Sequence, residues 1–322
     1  MKFGYLRFVK QMDNIGAILE KASRSDDPVE YVYKNDLRTP FFMVEGLCRL
    51  YQDLHNGKTF KKMLEQAKLV EDALGMYDFY VVLDKELSAD AALPEVIRTQ
   101  IVRKREAAAQ HVNEVLASGD WWNGRRLPEW NKKLRTLKWL KEAEERQALV
   151  EVYRSEIRKV YSFIGKAPFP FEDIEEHVHE LRRKLRWLSI YCHALDGMVK
   201  LKETADPVPE KFRKYLTDKV LASPFNQFTG SYKYEKLICL DKTGFMALSW
   251  MIATIGELKD DGLTLHAIHE LAQTVELDKA GRKAVATFLA DYDSRNATIL
   301  ELATEYTMHF LADNVLYTLL LP

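Results

Sequence analysis

Five apolar residues spaced four, three, four and three apart occur twice in this chain, 144 positions apart and without a gap. Leu37, Phe41, Val44, Cys48 and Tyr51 match Leu181, Leu185, Leu188, Cys192 and Leu195, and Arg38 falls on Arg182. That spacing places side chains on one buried face of an α-helix. Two unrelated amphipathic helices could share such a stripe. The shared acid-Leu-Arg start and the shared cysteine indicate duplication instead. The expected architecture is all-α, a duplicated helical bundle with pseudo-twofold symmetry. The Pro-rich segment Gly165-Lys-Ala-Pro-Phe-Pro-Phe171 is the best break. It divides the chain into an N-terminal half, 1–165, and a C-terminal half, 166–322, together forming one domain.

Composition agrees with long helices. Of 322 residues, 14 are Gly and 10 are Pro, well below the roughly 12% typical of soluble proteins. Helical periodicity covers about 12–23, 28–52, 57–75, 78–88, 94–118, 127–163, 171–203, 209–221, 234–259, 263–273, 279–292 and 295–320. Pro94, Pro128, Pro207 and Pro209 mark helix starts, and Pro40, inside a helical pattern, predicts a kink. A second turn-rich loop runs from Ser223 to Ser231. No βαβ alternation of a nucleotide-binding sheet is present. The three cysteines, Cys48, Cys192 and Cys239, are far apart and form no CxxC, which excludes a disulfide framework. The N-terminus has no signal-like apolar core, and the stretch from Tyr306 to Leu321 is broken by His309, Asp313 and Asn314, so no membrane span is expected. The expectation is a cytoplasmic protein.

A net charge of -1 hides a polarised chain. Residues 98–141 hold 11 Lys and Arg against 4 Asp and Glu, whereas residues 241–322 hold 6 against 12. The sharpest charge feature lies on the second repeat helix. At 100° per residue, His179, Arg182, Arg183 and Arg186 share one face opposite the leucine stripe. Adjacent like charges on a helix repel by about 0.2–0.5 kcal/mol per pair. A polyanion would relieve that repulsion, and arginine grips phosphate oxygens with a planar two-pronged fork. The competing reading is a salt-bridged surface, because Glu172, Glu175 and Glu176 project to nearly the same face. The first repeat has little basic company for Arg38: Lys34 lies one turn before it, and Phe42 occupies the place of Arg186.

The spacing His179-x-x-Arg182-x-x-x-Arg186 ahead of a leucine stripe resembles the signature of the CHAD domain (conserved histidine α-helical domain). Leu74-Gly75-Met-Tyr-Asp78 resembles that family's Leu-Gly step, and Ile255-Gly256-Glu-Leu-Lys-Asp260 is similar to a looser second copy. The resemblance covers roughly residues 28–275. It implies two related helical bundles around a cationic groove that binds inorganic polyphosphate without catalysis. Carried over by position, the implied contacts are Arg38, His179, Arg182 and Arg186, with Arg183 and Lys184 as neighbours. Asn35 stands where the family has its first histidine.

Other chemistries find less support. No phosphate-binding glycine loop and no GxSxG elbow is present, so no enzyme and no cofactor is expected. Cys48 and Cys192 lie on apolar stripes and read as packing residues. Glu176-x-x-His179 has the spacing of a di-iron motif but lacks a second copy, and His266, His269 and Glu270 are a weak metal candidate. Trp121, Trp122, Trp130 and Trp139 interleave with basic residues, a pattern that can stack nucleic-acid bases, although Trp130 and Trp139 fit a core better. The alternatives to polyphosphate binding are a helical scaffold for a protein partner, with a degenerate anion site, and a metal-carboxylate helical protein.

Overall fold

The computed structural model describes residues 2–87, 93–205, 207–228, 234–290 and 292–321, the side chains of Tyr292 and Asp293 excepted. The fold is all-α with a minimal sheet. In order, the helices are α1 (Phe3–Ala22), α2 (Pro28–Lys34), α3 (Arg38–Tyr51), α4 (Gly57–Leu87), α5 (Glu95–Ser118), α6 (Arg126–Arg135), α7 (Glu142–Ile164) and α8 (Glu180–Ala194). They continue as α9 (Glu210–Arg213), α10 (Asp218–Leu221), α11 (Lys242–Thr274), α12 (Lys279–Phe288), α13 (Tyr292–Ala312) and α14 (Val315–Leu319). Two four-residue strands, β1 (Val199–Lys202) and β2 (Ile238–Asp241), pair in parallel.

The chain forms two compact units, one of Met1–Leu140 with Thr264–Asp291, the other of Lys141–Leu263 with Tyr292–Pro322. This division differs from the expected 1–165 and 166–322. Helix α7 packs on α8, and Arg146 Nε donates to the Leu237 carbonyl at 2.8 Å, so α7 belongs with the second unit. Ile268 and Leu271 of α11 and Val285 of α12 bury against Leu83, Leu87, Leu93, Ile97 and Ile101, which returns that segment to the first unit.

Within the first unit α3 packs on α4, and α4 on α5. Phe8, Tyr51, Phe60 and Trp139 form an aromatic cluster with ring centroids 5.4–6.2 Å apart. The 4-3-4-3 stripe is buried in both repeats: Leu37, Phe41, Val44, Cys48 and Tyr51 on one side, Leu181, Leu185, Leu188, Cys192 and Leu195 on the other. Each large side chain so buried contributes about 1.5–3 kcal/mol.

Several local features depart from the periodicity. The expected helix 28–52 is broken before Pro40. Asp36 takes a left-handed φ of 52°, so α3 starts at Arg38 and the proline sits in its first turn, where the missing N–H costs nothing. The helix expected over 171–203 ends at Ala194, because Asp196 and Gly197 have φ of 44° and 81° and turn the chain into β1. The pairs expected at 57–75 and 78–88, and at 234–259 and 263–273, are instead the continuous helices α4 and α11, each running through a mid-helix glycine. Residue 88, part of the loop Ser223–Ser231 (residues 229–231) and the end of the expected helix 279–292 at residue 291 fall outside the described residues.

Candidate anion-binding site

Both repeats use their arginine in the same way. An ideal Cβ on Gly75 of α4 would lie 2.5 Å from Arg38 Nη2 and 3.0 Å from its Cζ. One on Gly256 of α11 would lie 2.7 Å from Arg182 Nε and 3.3 Å from its Cζ. Each guanidinium therefore lies close against a helix backbone in space that a Cβ would occupy. Mid-helix glycine costs about 1 kcal/mol relative to alanine, and here that cost gives an arginine its seat. Gly75→Ala is accordingly expected to lower the melting temperature despite its better helix propensity, because the guanidinium it displaces is clamped. A raised melting temperature would show that Arg38 moves aside freely.

The positions matched around the two arginines carry different residues. Arg38 Nε donates to Glu71 Oε1 at 2.7 Å, its Nη2 lies 2.7 Å from the same oxygen, and its Nη1 donates to Asp78 Oδ2 at 3.2 Å. Tyr33 donates its hydroxyl to Asp78 Oδ1 at 3.0 Å, and the Phe42 ring lies 5.2 Å from the guanidinium carbon. Arg38 is thus fully occupied by carboxylates of α4. With Gly256 matched to Gly75, Ile252 stands at the position of Glu71 and Lys259 at that of Asp78. His179 replaces Asn35, Arg186 replaces Phe42, and Ser189 replaces the buried Glu45.

The second unit builds its cluster from three elements. A π-helical segment, Ile174–His179, precedes α8 and ends on His179, and such segments often occur at functional sites. Its start is pinned by Asp173, whose side chain accepts from the Glu176 N–H at 2.7 Å. His177 Nδ1 accepts from two backbone N–H groups and its ring stacks on Phe171. Ile174 packs directly against Gly262 of α11. These contacts place His179 beside the face of α11 that carries Lys259. Burial holds the His179 imidazole below its ordinary pKa, Lys259, Arg182 and Arg183 push in the same direction, and Glu175 opposes them. Its Nδ1 is buried, makes no hydrogen bond, and lies 3.8 Å from Glu175.

Of the other sequence-predicted residues, Arg183 and Lys184 share Glu180 at 2.7 and 2.9 Å, and the Lys184 ammonium sits 5.2 Å from the Phe163 ring centre. The salt-bridged reading of this face thus holds in part, but through Glu180 and Glu175 rather than Glu172 or Glu176. Arg186 is half-buried on the same helix. Arg38 belongs to the first unit, where Glu71 and Asp78 hold it. Lys259, paired with Asp260, is the contributor that the sequence motif missed. Aligning Asp260 with Asp78 hid it, whereas aligning the glycines reveals it.

The remaining candidates resolve into packing. Trp121, Trp130 and Trp139 are buried, with Trp130 Nε1 donating to Gln66 and Trp139 Nε1 to the Leu134 carbonyl. Much of the basic segment is locally neutralised: Arg98 by Glu95, Arg105 by Asp84, Arg126 and Lys133 by Glu129. Cys48 and Cys192 are buried and burial pushes both thiols up, Cys192 to about 12, which leaves neither as a nucleophile. Among the described residues no three His, Cys, Asp or Glu side chains converge as metal ligands, and none of the helices there is long and apolar enough to cross a membrane. A cleft of about 530 Å³ at the β1–β2 pair, lined by Lys200, Lys202, Lys242 and Phe228, contains none of the residues discussed above, and its Lys242 is paired with Glu203.

No family model matches the chain, and no curated protein does. Among solved structures it is similar to PptA from Streptomyces chartreusis, with a TM-score of 0.52 and 12% identity over 94% of this chain and 98% of that one. At that identity the likeness concerns the fold alone.

Proposed function

We infer that this chain is a non-enzymatic binder of phosphate-rich polyanions, inorganic polyphosphate above all, and a divergent member of the CHAD family. The observation that carries the reading is the charge exchange between the repeats. The first unit surrounds its glycine-seated arginine with Glu71 and Asp78. The second replaces those carboxylates with Ile252 and Lys259 and adds His179 and Arg186. Arginines gathered on one helix face suit a phosphate chain, because each guanidinium grips phosphate oxygens with a planar fork. Neutral His179 is poised to gain a proton when a phosphate arrives, because a nearby anion favours the imidazolium.

The test is binding to polyphosphate at two salt concentrations, beside single-stranded DNA of equal charge. Binding is expected to weaken steeply with salt as condensed counterions are released. Replacing Arg182 and Arg186 together with alanine is expected to weaken it by about tenfold or more, the equivalent of at least one charge-assisted contact. Lys242→Ala, distant in sequence and paired with Glu203, is expected to leave it unchanged. Equal losses in both variants, or no binding to polyphosphate, would reject the assignment.

A further inference from the structure

We propose that the cleft at the β1–β2 pair is a second ligand site, which takes a small hydroxylated anion such as a sugar phosphate or a sugar acid. It lies wholly within the second unit and shares no residue with the cluster on α8.

Three observations meet there. The first is its place in the fold. β1 and β2 are parallel; β1 ends in Lys202, and β2 is followed directly by Lys242, the first residue of α11. Both lysines line the cleft. The carboxyl ends of parallel strands are where open α/β sheets bind their ligands. At about 530 Å³ the cleft is of the size that small molecules occupy. The second is charge. Lys242 is taken by Glu203 at 2.7 Å. Lys202 is exposed, and among the described residues it has no ion pair. Its ammonium is left to meet an anion. The third is a buried acceptor. Asn226 stands in the cleft wall and is only 6% exposed. Its Nδ2 donates to the Val220 carbonyl at 2.8 Å, which fixes the way the amide is turned. Its Oδ1 is buried and accepts no hydrogen bond. A buried acceptor left unmet is costly, so this one calls for a donor. A ligand hydroxyl supplies it, directly or through one bridging water. The carbon skeleton between hydroxyl and anionic group has Leu201 and Phe228 to lie against. The inner phosphates of polyphosphate carry no such hydroxyl, so this site selects a different ligand from the one proposed for α8.

Titration calorimetry of the full chain with glucose 6-phosphate and with gluconate, beside inorganic phosphate and glucose, tests the proposal. At least one of the two hydroxylated anions is expected to bind one per chain, about tenfold or more tighter than inorganic phosphate or glucose. Which of the two binds better identifies the anionic group as phosphate or carboxylate. Lys202→Ala, a change at an exposed position, is expected to weaken that binding about fivefold or more. Asn226→Ala is expected to weaken it too, with its melting temperature reporting that the fold is kept. Arg182→Ala is expected to leave it unchanged. Binding of neither hydroxylated anion overturns the proposal. So does inorganic phosphate binding as tightly as they do, which would mark an adventitious ion only. Binding that survives both Lys202→Ala and a folded Asn226→Ala, or that is lost in Arg182→Ala, overturns it as well.

Discussion

Arg38→Ala is expected to destabilise the first unit by about 3 kcal/mol while leaving anion binding intact. The Arg38 side chain is 31% exposed and that of its partner Glu71 only 10%. Removing the guanidinium leaves the Glu71 carboxylate buried without a counter-charge, near a second buried carboxyl group, Glu45. Breaking a buried pair from one side costs more than the pair contributes, because the surviving charge keeps its desolvation penalty. Asp78, more exposed, can turn to water, so Asp78→Asn is expected to cost less. Arg38→Lys should recover only part of the loss, since an ammonium cannot serve both carboxylates in the plane of a fork. Intrinsic fluorescence reports mainly on this unit, because four of the six tryptophans, Trp121, Trp122, Trp130 and Trp139, lie in it. The melting transition seen there should fall by roughly 8 °C. Arg182→Ala, the same position in the other repeat, should do the reverse and weaken binding. An Arg38→Ala variant of unchanged stability but reduced polyphosphate affinity would mean that Arg38 serves the ligand, as the family resemblance alone implies.

That contrast marks where the sequence could be read and where it could not. The buried stripes of α3 and α8 were legible because a helix repeats every 3.6 residues and the pattern is entirely local. The cationic face of α8 was legible for the same reason. The seat of each arginine was not. Gly75 and Gly256 lie on other helices, and a mid-helix glycine in sequence reads only as a weak helix former. Nor was the identity of the charges facing each arginine legible. Glu71 and Asp78 meet Arg38 through the packing of α3 on α4, so the first repeat looked like a poorer copy of a binding site when it is a self-neutralised one. The unit boundary failed for a similar reason. Ile268, Leu271 and Val285 return to the first unit through contacts with residues 83–101, which no local pattern encodes. The strands β1 and β2 are four residues each, too short to interrupt a helical reading.

Glu45→Gln is expected to stabilise the protein at pH 8 and to change little at pH 5. The Glu45 side chain is 2% exposed, its Oε1 has no hydrogen-bond partner, and Arg49 approaches its other oxygen only to 3.9 Å. Burial, with Glu71 acting in the same direction, pushes its carboxyl up to about 8. The native pKa therefore lies above the unfolded value of 4.5. The folded chain holds a proton that the unfolded chain has released, so stability is full below the unfolded pKa and falls as pH rises towards the folded one. Over that window the loss reaches at most about 4 kcal/mol, from 1.4 kcal/mol per pKa unit. Glutamine copies the shape of the protonated acid and carries no charge at any pH, so it escapes the loss. Urea unfolding of both proteins at pH 5 and pH 8 measures the difference. A gain equal at both pH values would trace to hydrogen bonding rather than to ionisation, and would set aside the charged origin argued here. A gain confined to high pH would show that the first unit keeps a destabilising acid beside Glu71, where the second has Ser189 and Ile252. The two copies would then differ in the ionisable groups packed beside the arginine-bearing helix.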